Sequence, residues 1–145
     1  MAFIEMDFAS GGTTQETLWT NPNPTTAFNT LDVILPKPYT DYDMIGIQWK
    51  AVYNDTGENL DKAWSFCLTS EFTKAISSNV ANNFNTMCSP ISRYTSSVST
   101  VRDFVPTDAT HINFRVASGV QTSLSARNNS CIPQKIIGIK GITID

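Results

Sequence analysis

The chain has 145 residues, the size of one ordinary domain with a single hydrophobic core. Charged residues make up only 16% of the composition and the net charge is −3, with ten lysines and arginines scattered singly, so no basic patch for nucleic acid is present. No apolar run reaches the ~20 residues of a membrane-spanning helix, so the sequence predicts neither nucleic-acid binding nor membrane insertion.

The first segment, MAFIEMDFASGG, does not resemble a secretion signal. A signal peptide needs a basic patch followed by an uninterrupted apolar run, and here Glu5 and Asp7 interrupt the run. Gly11 and Gly12 predict a flexible hinge. We therefore divide the chain into an N-terminal arm and hinge, residues 1–14, and a β-sandwich domain, residues 15–145.

Four segments alternate apolar and polar residues with a period of two, which is typical of half-buried strands. Turn signals rich in Asn, Pro and Gly separate them. This spacing predicts an all-β fold, an antiparallel β-sandwich of jelly-roll-like type. The predicted inward-facing sets are Leu31, Val33 and Leu35; Ile45, Ile47, Trp49, Ala51 and Tyr53; Trp64, Phe66 and Leu68; and Ile112, Phe114 and Val116.

One segment, EFTKAISSNVANNF, departs from the strand pattern. Phe72, Ile76, Val80 and Phe84 recur every four residues and could line one face of a short helix. The serine and asparagine content of the segment disfavours a stable helix. The sequence leaves open a short helix over residues 71–84 or an irregular loop that places hydrophobic anchors in the core.

The C-terminal segment, KIIGIKGITID, is unusually apolar for a chain end. Ile137 and Ile139 share one parity, whereas Ile142 and Ile144 have the other, and Gly141 lies at the change. A one-residue bulge at this glycine would return all four side chains to one face. We therefore predict a core strand that buries one continuous stripe.

The sequence offers little catalytic chemistry. Cys67, Cys88 and Cys131 have neither metal-ligand nor disulfide spacing and are predicted to be free thiols. His111, the sole histidine, lies on the outward face of its strand, with no orienting carboxylate in the sequence around it. No enzyme activity, cofactor or metal site is therefore predicted.

Two pairs of carboxylates are candidates for catalytic or metal-binding groups. Asp41 and Asp43 are predicted to lie on the same side of an extended segment, roughly 7 Å apart. This separation could serve calcium or a glycosidase, but a turn that leads into the next strand is the favoured interpretation. Asp103 and Asp108 form a weaker pair.

Three segments together resemble a known structural module. LWTNPNPTTAF (residues 18–28), YDMIGIQWK (42–50) and CIPQKIIGIKG (131–141) are similar to a module of tailed-bacteriophage virion proteins, found in tail fibres, minor tail proteins and head fibres. The family often has an aromatic residue where this chain has Gln134 and Ile137. The resemblance implies a β-sandwich on the virion surface, made in the bacterial host cytoplasm and assembled as a homo-oligomer, most often a homotrimer.

The resemblance also implies partners. These are other virion proteins, bound through the N-terminal arm or a surface patch, and host cell-wall glycan. Glycan binding usually rests on aromatic faces that stack on sugar rings, with amides and carboxylates that bind the hydroxyls. The candidate glycan or receptor contacts, which are loop tyrosines and their polar neighbours, are Tyr39, Asp41, Tyr42, Tyr53, Asn54 and Asp55.

Three functions from different classes follow. The favoured one is a tail-fibre head or receptor-binding module that contacts host-surface glycans. The second is a capsid or tail decoration protein with a purely structural role. The third is a small glycan-cleaving enzyme, which would need a carboxylate pair facing one cleft.

Overall fold

The computed structural model describes residues 4–6, 12–52, 59–77, 84–88, 100–116 and 131–144. Strands dominate these residues, with one α-helix, α1 (Thr69–Ser77), and one 3-10 helix (Tyr39–Asp41). The strands are β1 (Ile4–Met6), β2 (Thr14–Thr20), β3 (Thr30–Ile34), β4 (Met44–Val52), β5 (Asn59–Leu68), β6 (Phe84–Cys88), β7 (Thr100–Pro106), β8 (His111–Val116), β9 (Cys131–Lys140) and β10 (Ile142–Ile144).

The strands form two four-stranded antiparallel sheets and one two-stranded ribbon. The first sheet has the order β2-β9-β4-β5 and the second has the order β3-β8-β7-β6. The ribbon pairs β1 with β10. The predicted all-β antiparallel sandwich, with one short helix, is confirmed.

The sandwich core lies between the inner faces of the two sheets. Three of the four predicted inward-facing sets contribute buried side chains to it. These are Val33 in β3 and Leu35 directly after it; Ile45, Ile47 and Trp49 in β4; and Ile112 and Phe114 in β8. Leu31 is half-buried against the same cluster. Tyr53 lies outside the described residues, as do the side chains of Ala51 and Val116.

The fourth set, on β5, is inverted relative to the prediction. Ser65 and Cys67 face the core, whereas Trp64, Phe66 and Leu68 lie on the outer face of the first sheet. The reason is Trp49, which is fully buried opposite this strand and donates its indole N–H to the Ser65 hydroxyl over 3.0 Å. The small inward residues of β5 accommodate this indole, so the large ones turn outward.

The segment after β5 begins as a helix and ends as a strand. Helix α1 starts at Thr69, two residues before the predicted segment, and Phe84 lies in β6, where it pairs with Phe104. Phe72 is fully buried and makes edge-to-face contacts with Tyr39 and Phe104, at centroid distances of 5.2 and 5.6 Å. Val80 lies outside the described residues, as does the side chain of Ile76.

None of the helices in the described part of the chain is both long and apolar enough to span a membrane.

β9 is buried on both faces, which explains its isoleucine content. Ile136 joins the sandwich core, whereas Ile137 and Ile139 lie on the opposite face in a second cluster with Met44 and Ile142. The predicted buried stripe is therefore confirmed for Ile137 and Ile139, and it lies on the face opposite the sandwich core. Ile142 does join their face, as predicted, although the side chain of Ile144 is outside the described residues.

Gly141 separates β9 from β10 by a sharp change of direction rather than by a bulge in a continuous strand. Its φ of 86° lies in the left-handed region, and an added Cβ would come within 1.9 Å of the Gly12 carbonyl oxygen. β10 leaves the first sheet after this residue and pairs with β1. Glycine is therefore required here both by backbone conformation and by close approach.

The Asp43 carboxylate fixes this change of direction. Its Oδ2 accepts the backbone N–H groups of Gly141, over 2.8 Å, and Ile142, over 3.1 Å. The Asp43 N–H donates to the Ile139 carbonyl oxygen, and its own carbonyl accepts from Thr69. This carboxylate is thus a structural clamp, in agreement with the interpretation of Asp41 and Asp43 as part of a turn.

The N-terminal arm, predicted as residues 1–14, is partly integrated into the fold. Ile4 pairs with Ile144 and Met6 with Ile142, so residues 4–6 form the partner strand of β10. β2 begins at Thr14, the last residue of the predicted arm. The arm therefore joins the two chain ends in one ribbon.

Replacing Gly138 by alanine is expected to destabilise the fold strongly. A Cβ at this position would lie 2.5 Å from the Tyr42 ring, which is buried and cannot move aside. Overpacking of this kind costs ~1–3 kcal/mol or more of unfolding free energy. Denaturant titration checks the loss.

Gly46→Ala is the matched control for this substitution. Its Cβ would approach the buried Ile137 and the more than half exposed Phe66 at 2.9 Å, which is farther than the 2.5 Å contact with Tyr42, and the Phe66 ring can move. We expect the smaller loss of stability for Gly46→Ala. Equal losses in the two variants would contradict this account of the Tyr42 contact.

Candidate functional site

The outer face of the first sheet carries three rows of side chains that cross its four strands. Directly paired residues share a face in antiparallel sheets, so the pairing registers define these rows. Lys135 is the only charged residue in them. Read from β2 to β5, the rows are Thr20, Lys135, Gln48 and Trp64; Thr17, Ile137, Gly46 and Phe66; and Gln15, Ile139, Met44 and Leu68.

The outer face is covered at one end and open at the other. At the covered end, Ile142 packs on Ile139 and Met44. At the open end, Trp64 is 37% exposed and Phe66 is 55% exposed, which makes them two of the three large exposed hydrophobic residues in the described chain. We call Trp64 and Phe66 the aromatic platform.

The geometry of the aromatic platform follows from the residues beneath it. Its two rings are nearly parallel, at 10°, with centroids 5.7 Å apart. Gly46 lies opposite Phe66 and has no side chain, so the Phe66 ring covers the backbone of β4. Lys135, two strands away, places its Nζ 5.4 Å from the Trp64 ring centroid. The result is an aromatic surface with one cationic side chain and the Gln48 amide beside it.

A second concave feature lies between the end of β2 and the start of β3. It is a half-open groove of about 220 Å³, with the half-buried side chains of Trp19, Phe28 and Leu31 in its wall. Ligand pockets are usually larger, at ~300–1,000 Å³. Two polar side chains of the wall are already engaged, since Asn21 and Asp32 bind other protein groups.

The Asn21 side chain anchors the turn that forms this groove. Its Nδ2 donates to the Pro133 carbonyl oxygen over 2.7 Å, and its Oδ1 accepts the Asn23 N–H over 2.8 Å. Gln134 fastens the same turn from β9, because its Nε2 donates to the Pro24 carbonyl oxygen over 2.9 Å. These hydrogen bonds fix the shape of the groove, and the polar side chains that make them are used within the protein instead of for a ligand.

The structure does not support Tyr39 and Tyr42 as glycan contacts. Both rings are buried in the sandwich core, at 2% and 4% exposure, so neither offers a free face to a sugar. Tyr39 packs against Phe72, and Tyr42 covers Gly138. Asp41, between them, is exposed at the end of the 3-10 helix. Tyr53, Asn54 and Asp55 lie outside the described residues.

The Tyr42 hydroxyl ends in a small polar network at the edge of the sandwich. It donates to Glu16 Oε2 over 2.6 Å, and Lys37 Nζ lies 2.7 Å from Glu16 Oε1. Burial and the neighbouring Glu16 raise the pKa of Tyr42 to about 12. The hydrogen bonds from Lys37 and Tyr42 hold the pKa of Glu16 below its ordinary value of 4.5.

This network predicts a pH dependence of stability. A carboxyl whose pKa is lower in the folded state stabilises the fold above its unfolded pKa and loses that contribution as pH falls through its folded value. For Glu16 the contribution is therefore present above pH 4.5 and is lost below it. Thermal unfolding of wild type and Glu16→Gln between pH 7 and pH 3 checks this.

We expect the melting temperatures of these two proteins to differ at pH 7 and to converge as the pH falls below 4.5. Convergence is expected because protonated Glu16, like glutamine, no longer carries the charge that attracts Lys37. A difference that is constant across the whole pH range would contradict a role for this charge.

His111 has a carboxylate partner that the sequence reasoning missed. Its Nδ1 lies 2.7 Å from Asp108 Oδ1, which also accepts the backbone N–H groups of Thr110 and His111. The Thr110 N–H, followed by the His111 side chain, holds the pKa of Asp108 below its ordinary value. An aspartate at the start of a tight turn is the signal that could have revealed this contact.

The pair does not form a catalytic triad within the described residues, because no serine, threonine or cysteine there is hydrogen-bonded to His111 Nε2. The polar contacts of the ring are with Asp108 and Thr110, through Nδ1. The side chain of Asp103, in the second carboxylate pair, lies outside the described residues. Asp108 itself acts as the acceptor that closes the turn before β8.

The two cysteines whose side chains the structure describes are partly or fully buried. Neither Cys67 nor Cys131 is in a disulfide, as predicted, and Cys131 is fully buried. Burial, with a smaller effect of Glu71, raises the pKa of Cys67 to about 11. The side chain of Cys88 is outside the described residues. Across the described part of the chain, no three potential ligands among His, Cys, Asp and Glu cluster closely enough to hold a metal ion.

Comparison of the sequence with models of known protein families and with curated proteins found no match.

Proposed function

We propose that this chain is a virion structural module of a tailed bacteriophage, a tail-fibre head or receptor-binding module that contacts host-surface glycans. The three segments that carry the resemblance contribute to β2, β4 and β9, which are adjacent in the first sheet. The first and third segments are also joined by the bonds of Asn21 and Gln134. The three segments that carry the resemblance thus form one continuous part of the first sheet.

The observation that carries the receptor-binding part is the exposed, nearly parallel pair Trp64 and Phe66. Aromatic rings of 150–250 Å² each, exposed to these fractions, offer on the order of 200 Å² of apolar surface. A stable protein interface needs about 800 Å² from each partner. The aromatic platform is therefore the right size for one or two sugar rings and too small by itself for a protein partner.

The surroundings of the aromatic platform also suit a saccharide. Sugar rings present apolar C–H faces to aromatic rings and hydroxyl groups at their edges, which need polar partners. The Gln48 amide lies in the same row as Trp64 and can both donate and accept hydrogen bonds. We therefore place the proposed glycan contact on the outer face of the first sheet instead of at the buried tyrosines.

Cell-wall sedimentation tests the receptor-binding part. The purified full chain is mixed with isolated walls of Gram-positive bacteria, and the bound fraction is measured. We expect Trp64→Ala and Phe66→Ala each to reduce binding about fivefold or more, by analogy with the ~1–3 kcal/mol that stacking on an aromatic side chain contributes for a nucleic-acid base. Thr40→Ala, which shortens an exposed side chain in the 3-10 helix and leaves both the aromatic platform and Ile34 unchanged, is the control.

Wild-type protein that binds no wall in a panel of hosts would contradict the receptor-binding part and favour the structural decoration role. Antibody to this chain, imaged on phage particles by electron microscopy, tests the virion assignment. We expect label at the tail tip or on fibres. Particles without label would contradict the proposal altogether.

We also propose that the module is a homo-oligomer, with the resemblance favouring a homotrimer, and that it is attached to other virion proteins. Ile34 supports self-association, because this isoleucine is 67% exposed on β3, a strand at the edge of the second sheet. Exposed apolar edge strands are usually covered by association. Multi-angle light scattering is expected to give the mass of a trimer, and a monomer at micromolar concentration would contradict this.

A further inference from the structure

We propose that the aromatic platform selects saccharides that carry negative charge, through Lys135. This inference rests on the proposed glycan binding and adds the charge class of the ligand. It depends on one lysine that the register places in the row of Trp64 and Gln48.

The backbone of Lys135 is held in place by the sheet, whereas its flexible side chain lets the ammonium group adjust. β9 is the second strand of its sheet, paired on both sides, so Lys135 is held between Thr20 and Gln48. Its stem crosses the row towards β5 and brings Nζ to 5.4 Å from the Trp64 ring centroid. A sugar ring that covers part of Trp64 would therefore hold its substituents within reach of this ammonium group.

The charge balance of the surface favours an anionic partner. Among the twelve residues of the three rows, Lys135 is the only charged one, so no acidic side chain of these rows neutralises it. Its recorded partner on this face is the Trp64 ring, a cation–π contact worth ~0.5–1 kcal/mol at an exposed site. A carboxylate or phosphate on the ligand gives a charge-assisted hydrogen bond, which is stronger.

The aromatic platform and Lys135 thus divide the recognition between them. The rings provide affinity for the sugar face regardless of charge, whereas the ammonium distinguishes charged from neutral sugars. Uronate carboxylates and the phosphodiesters of wall polymers are the two sources of such charge. Their shared chemistry is an oxyanion within a few ångströms of a pyranose ring.

Two matched pairs of probes test this inference. The first is polygalacturonate and its methyl ester, which share a backbone and differ in charge. The second is bacterial walls before and after hydrofluoric acid removes their phosphodiesters. We expect the wild-type chain to bind the charged member of at least one pair roughly tenfold more tightly at low salt, with the preference falling as salt screens the charge.

Substitutions at Lys135 provide the decisive comparison. Lys135→Gln is expected to lose the preference for the charged probe while it retains binding to the neutral one, and Lys135→Arg is expected to retain the preference. Trp64→Ala is expected to lose binding to both. A preference that persists in Lys135→Gln would overturn the inference, as would equal wild-type binding to both members of each pair.

The failure of this inference is distinguishable from failure of the proposed function. Equal binding to charged and neutral probes that still depends on Trp64 removes only the role of Lys135. Absence of wild-type binding to every probe and every wall removes the glycan proposal as well. Folding of each variant is checked by its thermal transition, and these outer-face side chains are not part of the sandwich core.

Discussion

Deletion of residues 141–145 is expected to abolish soluble, cooperatively folded protein. The deletion removes Ile142, whose burial contributes ~1.5–3 kcal/mol, and uncovers Ile137, Ile139 and Met44. It also removes the two N–H groups bound by the Asp43 carboxylate, a loss of ~1–3 kcal/mol. Together with the cost of exposing the three uncovered side chains, these losses approach the ~5–15 kcal/mol net stability of a domain.

Deletion of residues 1–10 is the matched control for this truncation. β1 pairs with β10 and with no other described strand, so its loss leaves both four-stranded sheets complete. We expect this variant to remain folded but to be incorporated poorly into particles. Circular dichroism during heating checks both deletions, and a cooperative transition after loss of residues 141–145 would contradict the role assigned to the C-terminal segment.

Trp49→Ala is expected to lower the free energy of unfolding by ~3–5 kcal/mol, the usual cost of removing a large buried aromatic side chain. Trp49 has no exposed surface and makes an edge-to-face contact with Phe114 at a centroid distance of 5.5 Å. Its loss would also leave the Ser65 hydroxyl, which faces the core, without its indole partner. Urea titration monitored by circular dichroism measures the change.

Trp64→Ala is the matched tryptophan control, because it removes the same side chain from the outer face. Trp64 is more than one-third exposed, so the expected loss is smaller than that for the fully buried Trp49. We thus expect Trp49→Ala to affect mainly stability and Trp64→Ala to affect mainly ligand binding. Similar losses of stability in the two variants would contradict the assignment of Trp64 to the outer face.

The sequence was sufficient to predict the fold class and most of the core. Alternation in β3, β4 and β8 identified Val33, Ile47 and Phe114 because each strand has one clearly apolar parity. It failed on β5, where the more apolar parity is the one that faces outward. Periodicity shows that a strand has two different faces, but which face is buried depends on what occupies the space opposite, here the indole of Trp49.

The sequence predicted the kinds of side chain in the candidate site but not which residues form it. An aromatic surface flanked by polar groups was expected, but Tyr39 and Tyr42, two of the three tyrosines proposed for it, are core residues, and Tyr53 lies outside the described residues. Tyr42 is buried because Gly138 leaves room for its ring and Glu16 binds its hydroxyl, and both partners are distant in sequence. Likewise, Trp64 and Lys135 become neighbours only through the pairing of β5, β4 and β9.

In the first sheet, β9 lies between two strands that are synthesised much earlier, β2 and β4. β2 and β4 leave the ribosome long before β9, which must then insert between them. About 110 residues separate the end of β2 from the start of β9, so at ~5–20 residues per second β2 waits roughly 6–22 s for its only sheet partner among the described strands. Closure of the sheet is therefore a late event, and the nascent chain carries open strand edges until that moment.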